Sequence, residues 1–107
     1  MESLVRNASD KEQVRHADKR LETRRLQELE DIRKVLETPS GRRFYWRILS
    51  MCGITKQTYI DGNPNGTFFL EGKRSIGNEL FSDAQSADLK AVFEMMQDEL
   101  LKGFKNA

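Results

Sequence analysis

The chain has one cysteine, one histidine and two prolines in 107 residues, and each scarcity removes a class of chemistry. Cys52 has no second thiol to pair with, so no intramolecular disulfide forms, which suits a reducing compartment. His16 is the one other soft ligand, so a zinc site within one chain is not expected and no cofactor is anticipated. That histidine sits in a charged segment, which leaves no acid–base or nucleophile triad. The carboxylate pairs at 30/31 and 98/99 fall on polar helix faces, and Cys52 on an apolar one reads as a small hydrophobe rather than a nucleophile. No enzymatic activity is expected. The longest apolar runs are three residues or so, against the ~20 that span a bilayer, so no membrane span is expected. The opening Met-Glu-Ser-Leu lacks the basic-then-apolar order of a secretory leader. The expected setting is a cytoplasm, or a particle packaged from one.

What the chain has in quantity is charge, with 33% Asp, Glu, Lys and Arg and a formal net of +1. A net so small argues against a strongly basic nucleic-acid arm. Residues 1–37 carry nine basic and nine acidic side chains, residues 38–81 six and three, and residues 82–107 three and five. The centre is therefore mildly positive between a neutral arm and an acidic end, a bias toward phosphate or carboxylate partners. The length allows one domain. We expect residues 1–31 to form a charged tail and helical arm, and residues 32–107 a small helical core.

Residues 1–9 are polar and aperiodic and read as a tail. Asp10 can cap a helix from Lys11 to Glu37, a stretch free of Gly and Pro and laced with pairs such as Glu30–Arg33 and Glu30–Lys34. Val14, Ala17 and Leu21 give a thin apolar stripe there, and Leu29, Ile32, Val35 and Leu36 a wider one. The second half should dock and the first half project, either as a solvated helix or as an arm that pairs with another copy or another protein. Thr38-Pro39 ends this helix and, as N-cap and N1, starts the next, which Gly53 stops.

On the second helix Phe44, Ile48 and Cys52 share a face, with Tyr45 and Leu49 adjacent and Trp46 and Arg47 toward the other side. Arginines in its first turns oppose the helix dipole, so Arg42, Arg43 and Arg47 should have acidic or phosphate partners, Glu37 or Glu71 among them. Asp61-Gly62-Asn63-Pro64-Asn65-Gly66 is a dense turn signal, and the loop from Ile54 should be pinned by Ile54, Tyr59 and Ile60. Its alternating Asp61, Asn63 and Asn65 resemble a calcium loop, but the twelfth position is Gly72 rather than a carboxylate, so calcium is not expected.

A third helix is predicted from Thr67 to about Phe81, with Gly72 and Gly77 marking close backbone approach, to Trp46 or Phe44. Ser82–Ser86 should break the chain, and a fourth helix should run to about Lys102, where Gly103 ends it and Phe104 folds back. The predicted fold is all-α: a long charged N-terminal helix and a compact bundle of three shorter helices with one Gly/Asn/Pro-rich loop. The predicted core is Phe44, Trp46, Ile48, Leu49, Phe69, Ile76, Leu80, Val92, Phe93 and Met96.

Four ordered blocks carry a resemblance. They are Leu36-x-Thr-Pro-x-Gly-Arg-Arg-Phe-x-Trp-Arg-Ile-Leu, Cys52-Gly53-Ile54, Phe69-x-Glu-Gly-Lys-Arg-Ser-Ile-Gly-Asn-Glu-Leu and Met95-Met96-x-x-Glu99. Over residues 32–101 they resemble the Bbp-type family of small tailed-phage proteins, whose prototype comes from a Bordetella phage. The resemblance implies a small phage protein encoded among virion and packaging genes, and it brings no catalytic residues. It singles out Arg42, Arg43, Glu71, Lys73 and Arg74 as residues that meet in the fold. The function expected is a virion structural or genome-ejection-associated component, present in several copies or as a homo-oligomer and bound to other phage proteins, in the virion or the infected host cytoplasm. The alternative is a nucleic-acid-binding or host-directed regulator, with Arg42, Arg43, Arg47, Lys73 and Arg74 on phosphate.

Overall fold

The computed structural model describes residues 2–56 and 61–105, with side chains described for 9–56 and 61–103. The fold is all-α: α1 (Glu2–Leu36), α2 (Pro39–Met51), α3 (Pro64–Ala87) and α4 (Leu89–Lys105). Polar residues near the start do not form a tail, since the helix already begins at Glu2. Without Gly or Pro in that stretch, nothing local interrupts it. From residue 9 to 28 the side chains of α1 are exposed apart from a half-buried Ala17, then Leu29 and Ile32 become half-buried and Leu36 fully buried.

The α1–α2 corner follows the sequence closely. Thr38 is extended (φ −104°, ψ 149°), and its Oγ1 accepts from the Gly41 backbone N–H at 3.0 Å, while Pro39 opens the helix. Cys52 N–H and Gly53 N–H return to Ile48 and Ser50 carbonyls, and Gly53 takes φ +71°, the left-handed stop. The same device starts α3. The Asn63 side chain accepts from Gly66 N–H at 3.0 Å, with Pro64 in the first turn. The turn signal is thus partly an N-cap, and α3 starts three residues before Thr67. Of the residues expected to pin the preceding loop, Ile54 packs against the core; Tyr59 and Ile60 lie outside the described residues.

The predicted break at Ser82–Ser86 does not occur. Neither Gly nor Pro stands there, and Ala84 is fully buried, so continuing the helix buries apolar surface that a break would expose. The chain turns instead at Asp88, whose carboxylate accepts from Ala91 N–H at 3.1 Å and caps α4. Nor does Gly103 end α4, which continues to Lys105; the Phe104 side chain lies outside the described residues.

The core is Leu36, Tyr45, Leu49, Ala84, Ala91, Val92 and Met95, with Ile32, Trp46, Ile54, Leu80 and Phe81 packed against it. Of the predicted core, Leu49 and Val92 are buried and Trp46, Ile48 and Leu80 are half-buried. Phe44, Phe69, Ile76, Phe93 and Met96 are instead exposed. On α2 and α4 the inward face is set one position later or earlier than expected, at Tyr45 and Met95. On α3 the small residues Gly77 and Ala84 face inward, because they let the helix approach closely. A Cβ on Gly77 would lie 2.6 Å from both Cys52 Cβ and Ile54 Cγ2. The close approach is therefore to the end of α2, not to Trp46 or Phe44, and Gly72 has open space around it.

The result is a flat, extended body of 75 × 42 × 15 Å with a radius of gyration of 20.4 Å. A compact chain of about 100 residues has a radius near 13 Å.

Candidate interaction surface

Arg42 holds the corner together. Its Nη1 donates to the Leu36 carbonyl at 3.0 Å and lies 3.4 Å from the Glu37 carbonyl, groups that the end of α1 leaves without helical partners. The same side chain reaches Glu94 at 3.6 Å and Asp98 at 3.9 Å on α4 and is only 13% exposed. Its Nε is buried without a hydrogen-bond acceptor. Of the carboxylates expected for the arginines of this turn, Glu37 accepts from Arg33 at 2.9 Å, and Arg42 turns to α1 and α4. An Arg42→Met variant should lose about 1–2 kcal/mol, since two helix-end carbonyls lose a charged donor. Denaturant titration measures this, and an unchanged midpoint would contradict the corner role.

Arg43 and Arg47 are exposed on α2, with Arg43 donating to Ser40 Oγ at 3.1 Å. Lys73 is half-buried, its ammonium 5.5 Å from the Phe69 ring centroid. Arg74 lines a shallow depression on the outer side of α3 with Glu71, Ser75 and Glu79. Arg42 is thus drawn out of the expected basic set, and Arg43 and Arg47 remain on α2 while Lys73 and Arg74 stand on α3.

Two contacts that the sequence does not announce tie α3 to its neighbours. Arg25 Nη2 pairs with Asp83 at 2.6 Å, 58 residues apart in the chain. The hydrogen bond to Asp83 raises the Arg25 pKa. The Tyr45 hydroxyl donates to the Leu80 carbonyl. Burial, with Asp83 adding to it, lifts the Tyr45 phenol from 10.0 to about 12. The folded state therefore holds this proton more tightly than the unfolded chain does. Its contribution is complete below pH ~10 and is lost as pH rises from there through about 12. A Tyr45→Phe variant should be less stable by ~1 kcal/mol near neutrality and should show a shallower alkaline fall. Denaturation midpoints across that range check both, and a parallel fall in the two proteins would rule out the assignment. On the outside of α1, Glu30 is held below the usual carboxylate range by its hydrogen bond to Arg33 at 2.6 Å.

The most distinctive surface is apolar. Leu89, Phe93, Met96 and Leu100 are 49%, 61%, 43% and 64% exposed and lie in one row along α4. Phe44 and Met51 on α2, and Phe69 and Ile76 on α3, form shorter exposed pairs. Among the described residues no group of three or more His, Cys, Asp or Glu could hold a metal ion, and no helix is long and apolar enough to cross a membrane.

The family model described as Bbp19-like phage protein matches residues 32–98. No curated protein and no solved structure matches the chain. The match starts at Ile32, in the half of α1 that docks on the core, runs through the Arg42 corner, α2 and α3, and ends at Asp98, the second α4 carboxylate facing Arg42. It spans more than half of the sequence, and the chain belongs to the Bbp19-like phage protein family.

Proposed function

We propose that this phage protein is a non-enzymatic virion component, structural or associated with genome ejection, that acts through protein–protein contacts in several copies. The observation that carries the reading is the exposed apolar row of α4 on a body far more extended than its length requires. A row of large apolar side chains on a small, open fold is the surface of a protein that works against other proteins. The projecting, charged half of α1 supplies a second contact region, with exposed Val14 and Leu21 among its charges. Mass spectrometry of purified particles should find the chain at reproducible copy number. Particles without it, from cells that express it, would end this reading.

A second reading is a nucleic-acid-binding or host-directed protein of the infected cytoplasm. Exposed Arg43 and Arg47 support it, as does the sequence His16, Arg20, Arg24 on α1, where Arg20 has no acidic residue three or four positions away and Glu28 pairs with Arg25. Binding to duplex DNA would then weaken with log salt at a slope of about −0.9 per phosphate neutralised. No binding at about 50 mM salt would exclude it.

A further inference from the structure

The α4 helix carries two apolar faces. Ala91, Val92 and Met95 point inward and are 5%, 1% and 1% exposed, so the monomer's core already uses one side fully. Leu89, Phe93, Met96 and Leu100 lie on another side, at successive intervals of four, three and four residues. That spacing is the seam of two helices packed side by side. Within one copy this second apolar side is uncovered.

The accessible surface of the chain is 8594 Å², whereas a compact monomer of 12.4 kDa exposes roughly 6,100 Å². The projecting half of α1 and the uncovered row of α4 both contribute to the excess. The row is also complementary to itself when reversed. Laid antiparallel about a two-fold axis between Phe93 and Met96, Leu89 meets Leu100 of the second copy and Phe93 meets Met96, a rigid ring against a flexible side chain. At the outer edge Lys90 comes beside Gln97, so no like charges meet there. The helix dipoles oppose one another, which is favourable.

We propose that the α4 row is a homodimer interface, in which two copies pair antiparallel through Leu89, Phe93, Met96 and Leu100. This rests on the reading of the chain as a contact protein and names its first partner as a second copy of itself. The proposed pairing completes the burial of α4 and leaves the α1 arms, Phe44 and the α3 face free for other proteins.

Sedimentation equilibrium of the purified full chain at about 100 μM, far above the Kd of a standard interface, should give twice the 12.4 kDa of one copy. The Phe93→Glu variant should run as a monomer with the helical content of the parent, because the side chain it replaces is exposed. Leu89→Lys and Leu100→Glu should each weaken the dimer at least tenfold. Mixed together, they should restore a one-to-one heterodimer, because position 89 faces position 100 of the other copy only in the antiparallel arrangement. A monomeric parent chain overturns the proposal. So does an oligomer that Phe93→Glu and Leu100→Glu both leave intact, which would place the contact on another face, or a charge-swapped mixture that stays monomeric. If Phe93→Glu loses helical content, the mixing experiment decides. Because these measurements use the isolated chain, the dimer fails or stands separately from the presence of the protein in particles.

Discussion

Replacing Gly41 by alanine should lower stability by about 3 kcal/mol or more, the largest loss expected from adding a single methyl group. Gly41 lies in the first turn of α2, and its N–H is the donor that Thr38 caps. A Cβ there would stand 1.7 Å from the Val35 carbonyl oxygen and 2.8 Å from its carbon, with Thr38 Oγ1 at 3.0 Å. The two Val35 atoms are backbone of the last turn of α1, so no rotamer change relieves the clash. To make room, α1 must withdraw from α2, and with it Leu36, which is 0% exposed. Against a total stability of the order of 5–15 kcal/mol, the loss should appear as a drop in Tm of about 12 °C or more. The control is Gly72→Ala. No atom lies within 4 Å of a Cβ at position 72, and the site is an exposed helix interior, so alanine should stabilise by ~1 kcal/mol. Thermal melts of the two variants should therefore move in opposite directions, and a Gly41→Ala protein melting with the parent would mean that the corner is built differently.

The second large effect distinguishes the two faces of α2. Leu49→Ala should cost about 2–5 kcal/mol, because Leu49 is fully buried at the centre of the core and its removal leaves a cavity between packed helices. Phe44→Ala removes a larger side chain, yet should stay within about 0.5 kcal/mol, because Phe44 is 62% exposed. Denaturant titrations of the two variants give the comparison directly. If Phe44→Ala were the more costly, the inward face of α2 would be the one centred on Phe44. The same contrast applies on α4 between Met95, 1% exposed, and Met96, 43% exposed. There, Met96→Ala should spare the stability of the monomer and act on its association.

These contrasts mark where the sequence could be read and where it could not. Helix ends were legible at Thr38-Pro39 and Gly53, because a cap is a contact between residues a few positions apart and its chemistry is written in adjacent side chains. Asn63-Pro64 carries the same signal but does not separate a turn from an N-cap, since both favour the same residue types. The inward face of α2 was not legible. Phe44, Tyr45, Trp46, Ile48, Leu49, Met51 and Cys52 place apolar groups around most of its circumference, so periodicity alone does not select one side. On α4, Leu89, Phe93, Met96 and Leu100 form the cleaner stripe, but it is the exposed one. The core takes instead the mixed face of Ala91, Val92 and Met95.

Arg42 shows the same division on the polar side. The sequence placed it at an unfavourable helix N-terminus and thereby announced that it has a partner. Only the packing of α1 and α4 against α2 showed those partners to be the Leu36 and Glu37 carbonyls, Glu94 and Asp98. By itself the sequence determined the all-α class, the long first helix, the corner at Thr38-Pro39 and the family, because helix propensity, capping and motif order are local properties of the chain. Which faces are buried, which arginine is structural and which apolar row stays exposed were decided by the tertiary structure. Burial depends on which helices lie alongside one another, and that arrangement depends on residues far apart in the chain, such as Gly77 against Cys52 and Ile54, and Arg25 against Asp83.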